Sequence, residues 1–344
     1  MNIYTIKNQS ITGHLRFVVP ISYFNLQNDS DVTALHLTEH CCFGDFKKLP
    51  SLNQTAYRFG GYLPEGKITK TTVEFFWSFF NSNTTQAISW FQSFIENFQT
   101  STTNKDLNFY KKELSEELTE LDSAYVALSK ARQQIFQNVP YCLSSGGKKK
   151  LIKDVAIDQV NKFKKIIYQN GTIVLSTNTD ITELKSLKIG FKDITKLPRL
   201  KISKPNIQNN THKTNKSLAI VLPEMASKTA SILNSAIYYL VNERQLFEEL
   251  EAFVNCYPSV TSLVFFGVDC QKNVERVFNQ DHVIIQAAVK FSQLIAKERD
   301  EQTPDEILIN LSRDWVNNIQ QSISVEQALR YIQNSCFSTN RLRA

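Results

Sequence analysis

The sequence predicts an α+β protein built as two domains. Three observations carry that expectation. Runs rich in β-branched and aromatic residues recur in both halves of the 344-residue chain. Between them lie segments whose apolar residues step by three and four, the helical period. Strands and helices follow one another without the regular βαβ alternation of a doubly wound parallel sheet. A chain of this length suits two cores better than one.

In the first half, HLRFVVPISYF (14–24), TTVEFFWSFF (71–80) and TIVLST (172–177) read as strands. TTQAISWFQSFIENFQ (84–99) places Ala87, Trp90, Phe91, Phe94, Ile95 and Phe98 on one helical face. A longer helix is expected over 106–137, with the stripe Leu107, Tyr110, Leu114, Leu118, Leu121, Tyr125 and Leu128. The composition then shifts. FKDITKLPRLKISKPNIQNNTHKTNKS (191–217) has two prolines, many asparagines and lysines, and few large apolar residues. It reads as a linker, set at 196–216 between a domain at 1–195 and another at 217–344, with His212 as a solvated loop residue.

Beyond it, SLAIVLP (217–223) and SLVFFGVD (262–269) are expected strands. TASILNSAIYYLVNERQLFEELEAF (229–253), HVIIQAAVKFSQLIAKERD (282–300) and TPDEILINLSRDWVNNIQQ (303–321) are expected helices. The last opens with Thr303 as N-cap, Pro304 at the first helical position and Glu306 in a capping-box arrangement.

Composition excludes several classes. A net charge of +6 is mild for this length, and the densest basic run, GGKKKLIK (146–153), reads as a solvated loop. No nucleic-acid module accompanies it, so no nucleic-acid partner is expected. No stretch of about 18 apolar residues is present, so no membrane span is expected. The N-terminus lacks a basic cap followed by a long apolar core. The six cysteines show no CxxC pair and no disulfide framework. A cytoplasmic protein with reduced thiols is the expectation, with Cys41 and Cys42 as buried apolar filler in preference to ligands beside the histidine motif.

The chemistry concentrates in TALHLTEHCCFG (33–44), on a helix with Ser30 or Asp31 as N-cap. There His36 and His40 stand one turn apart on one face, with Glu39 beside them. Two imidazoles at this spacing suit one zinc ion, and the neighbouring carboxylate suits a base for a metal-bound water; H-x-x-E-H is the inverted zincin pattern. Zinc needs a third protein ligand. In KKELSEELTEL (111–121), Glu117 lies at the edge of the apolar stripe, Glu113 and Glu120 share that edge, and Glu116 points away. Such an acid is paired, protonated or metal-bound, or it simply flanks the apolar face of a surface helix.

HLTEHCCF, followed 77 positions after His40 by Glu117 in EELTEL, resembles the pitrilysin/insulinase family of zinc peptidases, which includes the mitochondrial processing peptidase. NVPYCLSSGG (138–147) and YQNGTIVLSTNTDITELKSL (168–187) are similar to segments of that family's first domain, and RQLFEELEAF followed by SLVFFGVD to its second. The resemblance implies two related α/β-sandwich domains, about half of a full closed-chamber enzyme. It implies a zinc endopeptidase in which His36, His40 and Glu117 bind Zn2+. Glu39 would act as general base and then pass the proton to the leaving amine. The peptide substrate would add as a strand to a sheet edge.

The departures matter. Tyr110 stands where the family often has a further Glu, with Glu113 as a partial replacement. Pro64-Glu65 falls at the family's substrate-contacting Asn-Ala pair. Glu251 falls at its Arg position, with Tyr257 six residues on. The expectation is therefore a subunit completed by a second, related subunit in a heterodimer, a homodimer being the other arrangement. A catalytically silent structural or chaperone subunit is the alternative.

Overall fold

The computed structural model describes residues 2–44, 54, 57–59, 64–118, 123–180, 182–187, 189–200, 204–214, 216–242, 250–279, 282–302, 304–319 and 321–337. The chain forms two compact units. The first comprises Met1–Glu120, Ser144–Arg199 and Gln302–Ser312; the second comprises Leu121–Leu143, Leu200–Glu301 and Arg313–Ala344. The chain passes between them at Arg199–Leu200, and 121–143 belongs with the second unit and 302–312 with the first, whereas the sequence set one division at 196–216.

The first unit carries a six-stranded mixed sheet from β1 (Asn2–Lys7), β2 (Thr12–Pro20), β3 (Glu65–Ile68), β4 (Thr72–Phe80), β5 (Thr172–Thr177) and β6 (Gly190–Asp193), in the order β3-β4-β2-β5-β1-β6. Strand β2 is antiparallel to β4 and β5, and β1 is parallel to β5 and β6. The expected strand 14–24 stops at Pro20; Ile21–Phe24 is a 3-10 turn.

The period-2 alternation sorts the two faces of the sheet. Leu15, Phe17, Val19, Val73, Phe75, Trp77, Phe79, Ile173 and Leu175 are all buried. They meet aromatic residues of α2 (Thr84–Glu96) and its 3-10 extension. Trp77 lies 4.5 Å from Trp90, and Phe75 lies 4.7 Å from Phe98. Each such pair contributes about 0.5–1.5 kcal/mol beyond its area. On the other face Arg16 and Glu74 form a buried ion pair at 2.6 Å, with Arg16 over the Phe76 ring.

Further helices belong to the first unit or follow directly from it in the chain. α1 spans Asp29–Phe43 and α3 spans Asn104–Glu117. In place of one helix over 106–137 the chain shows α3 and then α4 (Ser123–Ile135), residues 119–122 lying outside the described ones. Leu128, Ala131 and Ile135 of α4 pack on Ala219, Tyr257 and Val264, which places this helix in the second unit. A stripe periodicity reports that a face is buried, not which sheet buries it. α5 (Ile157–Asn170) packs on α1.

The second unit holds an antiparallel sheet of β7 (Thr211–Lys213), β8 (Ser217–Pro223), β9 (Glu251–Tyr257) and β10 (Val260–Phe266), ordered β7-β8-β10-β9. Its helices are α6 (Ser227–Asn242), α7 (Cys270–Phe278), α8 (His282–Gln302) and α10 (Val325–Phe337), with α9 (Pro304–Asn317) divided between the units. Two expectations change here. His212 pairs with Ala219 in a strand and is not a solvated loop residue. The helix expected over 229–253 is described as far as Asn242, residues 243–249 lie outside the described ones, and Glu251–Phe253 open β9 instead. The hairpin signal is Pro258-Ser259, where Ser259 has φ 71° and Tyr257 pairs with Val260, a turn with proline at its first central position. Pro304 begins α9 as expected, while Thr303 lies outside the described residues. No helix among the described residues is long and apolar enough to cross a membrane.

Candidate metal centre

The site is built on α1, which is buried at every residue from Val32 to Phe43. Its N-cap is Asn28, whose side chain accepts from the amides of Ser30 and Asp31. The expected caps, Ser30 and Asp31, are thus the first-turn residues being capped. A helix enclosed on all sides must find partners for each polar side chain it carries. Thr33 and Thr38 return their hydroxyls to carbonyls one turn back. His36 and His40 turn toward α3, and Glu39 stands beside them.

There the side chains converge. His36 Nε2 lies 3.4 Å from Glu117 Oε1, and His40 Nε2 lies 3.1 Å from Glu117 Oε2. One ligand atom from each of the three residues falls within 4.8 Å of the others. Donors about 2.0–2.1 Å from a tetrahedral zinc lie roughly 3.3–3.4 Å from one another, so this donor set fits the ion in chemistry and in spacing. Glu39 Oε2 stands 3.9 Å from both Nε2 atoms, beside the trio and equidistant from its two rings. Glu117 is the exposed member, at 52% of its side chain, so the cluster opens to solvent on that side. Glu116 points outward beside Lys112, as the periodicity required; Glu120 lies outside the described residues.

The rings are held from behind. His36 Nδ1 is 3.0 Å from the carbonyl oxygen of Gly146. A carbonyl only accepts, so Nδ1 donates to it and Nε2 is the ring atom that faces the cluster. The loop that brings this carbonyl is docked on α1. The Lys148 amide donates to Thr33 Oγ1 at 2.9 Å, and the Lys148 ammonium pairs with the Asp29 carboxylate. Gly147 has φ 74°, and a Cβ there would lie 2.5 Å from Thr33 Oγ1. The start of the basic run, expected as a solvated loop, is therefore a support for His36.

His40 has its own support, with Nδ1 3.5 Å from Glu113 Oε2. Tyr110 is fully buried and donates to the carbonyl of Gly44 at 2.8 Å, tying α3 to the end of α1.

Electrostatics follow from this crowding. Burial would lower the His40 pKa, but Glu113, Glu117 and Glu39 outweigh it and push it up to about 9. The two imidazoles hold the Glu117 carboxyl well below the usual range. Cys41 and Cys42 are buried, as expected of filler, and burial pushes the Cys42 thiol up.

In the second unit, Glu251 is exposed at the start of β9. Tyr257 is 1% exposed and stacks edge-on with Phe136 at 5.1 Å and Tyr141 at 5.6 Å, a core position.

No family model matches the sequence, and no curated protein matches it. Solved structures do. A protease from Helicobacter pylori aligns over 97% of this chain and 90% of its own, with TM-score 0.67 and 13% identity. A putative M16-like peptidase from Alicyclobacillus acidocaldarius aligns over 95% and 90%, with TM-score 0.59 and 13% identity. The periplasmic protease PqqL from Escherichia coli aligns over 98% of this chain but only 43% of its own, with TM-score 0.62 and 14% identity. The chain has the half-size pitrilysin-type peptidase fold. That fold is also found in a chain of Complex III2 from Candida albicans, at TM-score 0.61 and 13% identity. Architecture alone therefore leaves the activity open, and the side chains of α1 and α3 have to decide it.

Proposed function

We propose that this chain is a zinc-dependent endopeptidase subunit acting on peptides. The observation that carries the reading is the meeting of His36, His40 and Glu117 with Glu39 at equal distance from both rings. Bound by the trio, zinc would polarise a peptide carbonyl and bring the pKa of a bound water to roughly 7.

The protein's own residues do the rest. Gly146 and Glu113 orient the two rings. The Glu39 carboxylate takes the proton of the attacking water at one oxygen and delivers it to the departing nitrogen. Among the described residues strand β3 pairs with β4 and stands at the end of the sheet, and it packs on α1, which suits a peptide adding as a further strand.

A related subunit would complete the enzyme. Support comes from the share of PqqL that this chain spans, 43%, and from Glu251, which stands where the family has an arginine. The silent-subunit reading is favoured by that same Glu251 and by the burial of Tyr257.

Zinc content and cleavage of a peptide library, measured for the chain alone and with a co-purified related subunit, separate the two. About one zinc per chain, lost in His40→Ala, together with cleavage abolished in Glu39→Gln at unchanged zinc, is the expected result. Cleavage that survives Glu39→Gln would refute the assigned base.

A further inference from the structure

We infer that Gly66 is a positioning residue for Glu39: its missing side chain is the space in which the carboxylate stands beside the two histidines. The inference rests on the peptidase reading for its functional meaning, but the contact behind it does not.

Gly66 lies in β3 opposite Phe75. A Cβ built there would fall 1.6 Å from Glu39 Oε1, 2.5 Å from its Cδ and 3.0 Å from its Cγ. The backbone gives no separate reason for glycine, since φ at Gly66 is outside the left-handed range, unlike Gly147. A strand position of this kind ordinarily prefers any β-former to glycine. What the position demands is closeness. Among the described glycines, those at 13, 44, 147, 171 and 190 would meet Phe79, Asn97, Thr33, Phe17 and Asn2, whereas Gly66 meets a member of the cluster.

The direction of displacement is set by stiffness. Strand β3 is held in register by β4, whereas the atoms met by the new Cβ belong to the end of a long side chain. With alanine at 66 the chain folds and Glu39 gives way. The three atoms nearest the new Cβ all belong to Glu39 and none to His36, His40 or Glu117. Metal affinity should therefore hold while the base is lost from its place, and a misplacement of about 1 Å costs on the order of 100-fold in rate.

The test is a double-mutant cycle on the full chain with two readouts. In thermal unfolding, Gly66→Ala should lower Tm in the parent. It should leave Tm unchanged or raise it in a Glu39→Ala background, where the obstructing carboxylate is gone. Equal effects in the two backgrounds would overturn the contact. In the second readout, Gly66→Ala should keep one zinc per chain and lose about 100-fold in kcat with KM little changed. With the shorter Glu39→Asp side chain in place, adding Gly66→Ala should cost nothing more. A Gly66→Ala variant with parental kcat would overturn the positioning role. A parent chain that cleaves no peptide, alone or with its related subunit, would instead refute the peptidase reading, and the Tm cycle would still judge the contact.

Discussion

Gly147 is the residue on which the orientation of His36 turns. Its positive φ and its approach to Thr33 hold the Gly146 carbonyl against the ring. Gly147→Ala meets both the left-handed penalty and the Thr33 side chain, so a loss of about 1–2 kcal/mol in denaturant unfolding is expected. A drop of roughly 10–100-fold in zinc affinity should accompany it in chelator competition. Parental zinc affinity in a folded variant would show that the carbonyl does not orient the ring.

The second residue-scale prediction concerns protons. In the metal-free protein, the His40 pKa is raised from 6.5 to about 9. A raised histidine favours the folded state fully below its unfolded pKa, and the benefit is lost as pH climbs through the folded value. The stability of the metal-free protein should therefore fall between about pH 6.5 and 9. At pH 7, zinc uptake must displace that proton. Calorimetry in buffers of different ionisation enthalpy should show about one proton released per zinc at pH 7, falling away as the pH is raised past about 9.

His36, Glu39 and His40 were legible as letters because their spacing matches a helical turn. The Gly146 carbonyl was not, since a backbone acceptor has no letter of its own, and neither was the closeness that makes position 66 a glycine.

Elements were legible where a segment's own pattern decided its state. The aromatic strand at 72–80 and the amphipathic helix at 84–96 fall where the periodicity put them, because each buries its own stripe. Partner choice was invisible. The residues of α4 read as a continuation of α3, yet α4 lies on the second sheet. Likewise β9 was hidden behind a helix-like run and declared only by its Pro258-Ser259 turn. The element that places the candidate metal centre is α1, and the aromatic layer behind it fixes where α1 sits. Phe75 is fully buried and touches Phe43 of α1 at 5.8 Å, as well as Phe17, Phe94 and Phe98. Phe75→Ala should cost about 3–5 kcal/mol in denaturant unfolding. A cost under about 1 kcal/mol would mean that this layer does not anchor the helix.

At the scale of the molecule, one architecture serves proteases and a Complex III2 chain alike. Any chemistry here therefore depends less on the likeness of folds than on four side chains in the first unit. Three converge within reach of a single cation, and the fourth waits beside them. The sharpest competing picture is a sequence-adjacent thiolate site using Cys41 or Cys42, which their burial opposes.

X-ray absorption at the zinc edge of the metal-loaded chain separates the two in one spectrum. A first shell of nitrogen and oxygen at about 2.0–2.1 Å, with the imidazole scattering of two histidines and no sulfur, is the predicted result. A zinc–sulfur distance of about 2.3 Å, or a chain that takes up no stoichiometric zinc, would contradict the central claim.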